Sequence, residues 1–154
     1  MLSFSKEFSD SPVEIENTEE ETISCIRASS SLQKPTFVAI KLSGLSSDNE
    51  LRSLERDIDN LLLNSRSGSP AGIYSRVHQV LTRYPALFDR LRRIALEAQK
   101  LDVQLILDAE IRYQGDVDAS PTSALLCSVL NGGGHGNVWN THQMYNFRLL
   151  FSYS

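Results

Sequence analysis

Val103-Gln104-Leu105-Ile106-Leu107-Asp108-Ala109-Glu110 is a short apolar run that ends in two carboxylates. It is too short for a helix of its own, and its length favours a buried strand. Phe37-Val38-Ala39-Ile40-Lys41-Leu42 has the same character, with Pro35 before it and Ser43-Gly44 after it. Val138-Trp139-Asn140-Thr141 is a third, weaker candidate, following the glycine cluster of residues 132–136. Helical patterns separate the three runs. Strand, helix, helix, strand, helix, strand is an α/β order, and it predicts a parallel sheet with helical crossovers. In such sheets the reactive groups gather at the C-terminal ends of the strands. Here those ends hold Lys41, then Asp108 and Glu110, then Asn140 through Gln143.

The helices read from periodicity and from their caps. Leu51, Leu54, Ile58, Leu61 and Leu62 make one apolar stripe, and Ser47 with Glu50 forms a capping box ahead of it. Pro70 suits a first helical position, and Ile73, Val77, Val80 and Leu81 continue at helical spacing. Leu87, Leu91, Ile94, Ala95 and Ala98 make a further stripe, from Pro85 to about Lys100. Ser120-Pro121 opens a helix that carries Leu125, Leu126, Val129 and Leu130. Near the N-terminus, Thr18 and Glu21 fit a second capping box, so a short helix with Ile23 and Ile26 is expected from there. Residues 1–17 are polar and acidic and are expected to be loose. Residues 146–154 show no clear period.

Length and composition narrow the choices. The chain of 154 residues, 41% hydrophobic, is one domain with a sizeable core. A complete eight-stranded α/β barrel takes roughly 250 residues, so only part of one fits here. Fifteen basic against 19 acidic residues argue against a nucleic-acid partner. The basic stretch 76–100 reads as a solvated helix face. Two distant cysteines, Cys25 and Cys127, make no disulfide framework, and a reducing compartment is the default. No apolar run reaches the roughly 18–20 residues of a membrane helix. Met1 to Glu7 has no signal-peptide core and is too acidic for an Arg-rich presequence.

The polar residues each carry two readings. Lys41 is either a strand-end cation whose stem lies on apolar surface or a cation waiting for an anionic substrate. Asp108 and Glu110, two apart, point to the same side; such a pair serves acid–base work, a metal, or an ion pair with Lys41 or a nearby arginine. The glycine cluster fits neither a dinucleotide fingerprint nor a P-loop. Cys127, His135 and His142 lack zinc-site spacing. Asp116 and Asp118 lack the rest of a calcium loop, and no metal site is expected. His78 reads as a surface or interface residue.

Three segments together resemble the proline dehydrogenase family of eukaryotic type: Phe37 to Leu45 with its Ile-Lys-Leu-Ser-Gly-Leu core, Leu105 to Gln114 with Leu-Asp-Ala-Glu, and Val138 to Tyr145. Ser24 to Ala28 looks like the family's helix before the lysine strand. The resemblance spans about residues 18–145. It implies a partial (β/α) barrel of the TIM type, with about three parallel strands and covering helices. Flanking this domain are an acidic flexible N-terminus, residues 1–17, and a divergent tail, residues 146–154.

The resemblance also implies an activity. Members of the family oxidise L-proline to 1-pyrroline-5-carboxylate, using FAD and passing electrons to a quinone. Lys41 looks like the lysine that pairs with the proline carboxylate, and Asp108 like the strand-end aspartate that organises the pocket. Asn140, and more weakly Gln143, match positions near the flavin. Mitochondrial residence and association with the inner membrane follow from the family alone. The match includes neither the family's first strand nor its later strands, which carry an arginine beside the flavin and the arginine pair that completes the carboxylate clamp. The chain therefore reads as truncated and inactive alone, with self-association or a full-length paralogue as its expected partner. Two rival readings stand beside this one. The first is a non-catalytic interaction module derived from the family. The second is an unrelated small α/β enzyme that uses Lys41 and Asp108 without flavin.

Overall fold

The computed structural model describes residues 2–3, 10–32, 35–64, 70–108, 110, 120–132 and 136–141. Strand β1 (Leu2–Ser3) is followed by helix α1 (Pro12–Ser29), strand β2 (Phe37–Lys41) and a 3-10 turn (Leu42–Gly44). Helices α2 (Asp48–Leu63), α3 (Pro70–Leu81) and α4 (Pro85–Lys100) lead to strand β3 (Gln104–Asp108). Helix α5 (Ser120–Leu130) and strand β4 (Val138–Asn140) complete the described elements. The strands form one sheet in the order β1-β2-β3-β4, every neighbouring pair parallel. The architecture is α/β, a parallel sheet with covering helices.

Strand order equal to chain order has a topological consequence. Parallel crossovers are right-handed, so successive steps in one direction put every crossover on the same face. Burial follows that rule. Val38, Ile40, Leu105, Leu107 and Val138 share one face and sit in the core with the helix side chains. The alternate residues occupy the other face. There Ala39 is buried, Phe37, Lys41, Gln104, Ile106, Asp108 and Thr141 are half-buried, and Trp139 is 55% exposed. Helices α1, α4 and α5 pack on β2, β3 and β4, while α2 and α3 pack on one another and on α5.

The predicted stripes line the core. Leu51, Leu54 and Ile58 of α2 are buried, as are Leu87, Leu91, Ile94, Ala95 and Ala98 of α4. Truncating a fully buried leucine such as Leu54 or Leu91 to alanine costs about 2–5 kcal/mol. Ser47 caps α2, its hydroxyl accepting from the Glu50 N–H at 3.3 Å. The reciprocal half of the expected box is absent, because Glu50 accepts from the Ser46 hydroxyl instead.

Helix α4 ends in a Schellman turn. Val103 N–H donates to the Ala98 carbonyl at 2.9 Å and Asp102 N–H to the Gln99 carbonyl at 3.2 Å. Asp102 takes the left-handed position, at φ 54°. Val103 and Ala98 are both fully buried, and the turn delivers the chain directly into β3.

Two expectations are corrected at the N-terminus. The first helix starts at Pro12, not near Thr18, so residues 12–17 are helical and not loose. Pro12 suits the first turn because its missing N–H would be unpaired there anyway. The Thr18 hydroxyl donates back to the Glu14 carbonyl at 2.8 Å, which a residue inside a helix does and an N-cap does not. The helix is held by contacts remote in sequence. Ile15 and Glu19 are buried, and Glu19 accepts two bonds from Arg93 of α4, at 2.6 and 2.9 Å. The sheet also gains a two-residue fourth strand, β1, beside the three that the sequence predicts.

Candidate functional site

Lys41 and Asp108 are paired in register at the last step between β2 and β3. Both are half-buried, and both belong to the face opposite the described helices. A lysine and an aspartate at adjacent strand ends put a cation and an anion side by side at the C-terminal end of the sheet. The register follows from the two apolar runs themselves. Sliding one strand by a single residue would turn Val38 and Ile40, or Leu105 and Leu107, out of the core.

Side-chain bonds tie the strand ends on either side of this pair. The Thr141 hydroxyl donates to Asp108 Oδ1 at 2.9 Å, while Thr141 N–H donates to the Leu107 carbonyl at 3.1 Å. Ser43, 1% exposed, donates its N–H to Glu110 Oε2 at 3.0 Å and its hydroxyl to Glu110 Oε1. Arg90 of α4 donates to the Leu45 carbonyl at 3.3 Å, and its Nε lies 3.8 Å from Glu19. Arg90 is thus not part of a solvated basic face; its side chain is only 16% exposed. The two carboxylates that the sequence places together have separate partners, Asp108 from the residue after β4 and Glu110 from the turn after β2.

The structure does not bring Asn140 to this face. Its register partner is Leu107, so it lies on the side of Val138, toward the helices. Both polar atoms of its amide are buried, and neither finds a hydrogen-bond partner among the described residues. Gln143, His142, His135, Asp116 and Asp118 lie outside the described residues. Among the described residues, no group of three or more histidines, cysteines and acids could hold a metal ion. No described helix is long and apolar enough to cross a membrane.

The far end of the sheet holds different features. A cavity of about 410 Å³, lined by His78, Phe88, Arg92, Gln99 and Asn137 among others, opens between the helices near the start of β4. His78 is exposed and meets Phe88 edge-on, with ring centroids 5.8 Å apart. Cys127 is buried, donates its thiol to the Val138 carbonyl at 3.0 Å, and has its pKa pushed up by burial to about 11. Asn131 closes the outer edge of β4. Its amide donates to the Val138 carbonyl at 2.7 Å and accepts from the Val138 N–H at 3.1 Å.

Sequence reasoning finds Lys41 and Asp108 from their positions at strand ends. It passes over Ser43 as a partner for Glu110, because 67 residues separate the two and neither lies in a recognisable spacing. Thr141 belongs to the third strand-end group, but its bond to Asp108 is visible only once β3 and β4 are neighbours. No family model matches the chain, and no curated protein matches it.

Proposed function

We propose that this chain carries the substrate-carboxylate side of a mitochondrial FAD-dependent proline dehydrogenase, folded as part of a (β/α) barrel of the TIM type. The observation that carries the reading is the register pairing of Lys41 with Asp108 at neighbouring strand ends, on the face that the described helices leave uncovered. A sheet wound in one direction, with helices on one face only, is the arrangement a barrel closes from.

The residues present suit a flavin in one respect and not in another. Ala39, Ile106 and Trp139 are register partners on the uncovered face and give it an apolar floor, suited to a flat ring. Asn140 has its buried amide on the opposite face, so it does not serve the ring from that floor. Gln143, the other residue implied by the resemblance, is the remaining candidate to hold the ring's polar edge. When bound, the flavin supplies the hydride acceptor and the route for electrons to a quinone.

The chain's own residues bind and orient. The Lys41 ammonium offers a charge-assisted contact to the carboxylate of L-proline. Asp108, held by Thr141, sets the polarity beside it and leaves the amino acid one preferred orientation. Positioning of this kind is where a binding site contributes to rate when a cofactor carries the chemistry. The test is the visible absorption spectrum of the purified chain with added FAD, before and after L-proline. A retained flavin that bleaches with proline supports the reading. Absence of both flavin retention and proline binding would remove it.

A further inference from the structure

Backbone pairing between β2 and β3 ends at Lys41 and Asp108. Two residues further along each strand, Ser43 and Glu110 are joined by two hydrogen bonds, one from the Ser43 N–H and one from its hydroxyl. Side-chain bonds thus continue the pairing one step past the point where the main chain stops. Lys41 and Asp108 are bracketed, with the ladder on one side and this clasp on the other. Without it, β2 would leave the sheet at Lys41 and enter the 3-10 turn with no tie to β3 beyond that point among the described residues. Strand ends released in this way fray.

We infer that Glu110 is a positioning residue, not a second catalytic carboxylate. Its two bonds to Ser43 fix the spacing of Lys41 from Asp108 and so preorganise the pair for a ligand carboxylate. The geometry favours this role over acid–base work. A carboxylate that accepts from a buried N–H and a buried hydroxyl has both oxygens engaged, and Ser43 is only 1% exposed. Charge-assisted bonds of this kind are about twice as strong as neutral ones, so the clasp is stiff enough to hold a strand end. The inference rests on the reading of Lys41 and Asp108 as the carboxylate-binding pair.

The test uses the full chain and the variant Glu110→Leu, which removes both acceptors, with Ser43→Ala as the second variant should the first fail to fold. Two readouts need no ligand: hydrogen exchange at the Ser43 amide, and the NMR resonances of the Lys41 ε-methylene and the Asp108 carboxyl. A third readout is affinity for L-proline. Glu110→Leu is expected to speed exchange at Ser43, to shift both the Lys41 and Asp108 resonances, and to weaken proline binding about tenfold. An unchanged Ser43 exchange rate would show that no clasp exists. Faster exchange with Lys41 and Asp108 left at their wild-type resonances would confine Glu110 to a local structural role, and either result overturns the inference. If the wild type neither retains flavin nor binds proline, the proposed function falls, and the clasp is still judged on the two ligand-free readouts.

Discussion

Thr141 donates its hydroxyl to Asp108 at 2.9 Å, so the carboxylate at the end of β3 is held from β4 before any ligand arrives. Replacing Thr141 with valine keeps the shape and removes the donor. The expected result is a loss of L-proline affinity of about three- to tenfold, within the roughly 0.5–1.5 kcal/mol of one hydrogen bond. Titration calorimetry measures it.

Lys41→Met keeps most of the side chain's length and removes the charge. L-proline binding is expected to fall by at least about tenfold, the value of one charge-assisted contact. The thermal midpoint should stay close to wild type, because Lys41 is half-buried and not part of the core cluster. Equal binding by the variant would remove Lys41 as the anchor.

Asp102 sits at a left-handed φ of 54° in the turn between α4 and β3. A residue with a Cβ is strained there, and glycine is not. Asp102→Gly is therefore expected to stabilise the chain by about 0.5–1 kcal/mol. Urea denaturation decides it, since a lower midpoint would have the wrong sign.

The two cysteines should differ in reactivity. Burial pushes Cys127 up to about 11, while Cys25 is only half-buried. At neutral pH a thiol reagent should modify Cys25 first and reach Cys127 only on unfolding. The same shift gives a sign for stability. Between the ordinary thiol value of 9.0 and about 11 the unfolded chain releases a proton that the folded chain keeps. The unfolded state therefore binds fewer protons, and stability should decline as pH rises through that window. Chemical denaturation of the wild type and Cys127→Ala across those pH values would show the difference.

Asn131 pairs with both polar groups of Val138 on the outer side of β4. Asn131→Ala should cost about 1–3 kcal/mol, because it strips a partly buried strand of two bonds. It should also raise the tendency to associate, since an unpaired strand edge is a template for another chain. Light scattering against concentration tests the second effect apart from the first.

Most of the fold was legible in the sequence because its determinants are local. The stripes of α2 and α4 repeat at helical spacing, and β2 and β3 are short apolar runs between breakers. The onset of α1 was not legible. Residues 12–17 carry a single buried apolar side chain, Ile15, and the helix is tied down by Glu19 reaching Arg93, 74 residues away. No window of sequence contains that pair. A two-residue strand such as β1 leaves no pattern at all.

The site divides in the same way. Lys41 and Asp108 stand at strand ends, and strand ends can be read. Their neighbours are set by which strands lie side by side, so Ser43 with Glu110 and Thr141 with Asp108 could not be. Asn140 is a different case. Period-two alternation from buried Val138 already puts it on the covered face. Its place at a strand end suggests the open face, its parity the covered one, and the register follows parity.

Trp139 is the chain's single tryptophan, and it stands 55% exposed on the uncovered face with its indole N–H donating to Gln104 at 2.8 Å. The molecule thus carries one intrinsic fluorophore of its kind, placed on the floor where the proposed ring would lie. Whatever comes to rest there, a flavin, a partner or another strand, would change the colour or yield of that emission, and events on the helical side would leave it alone.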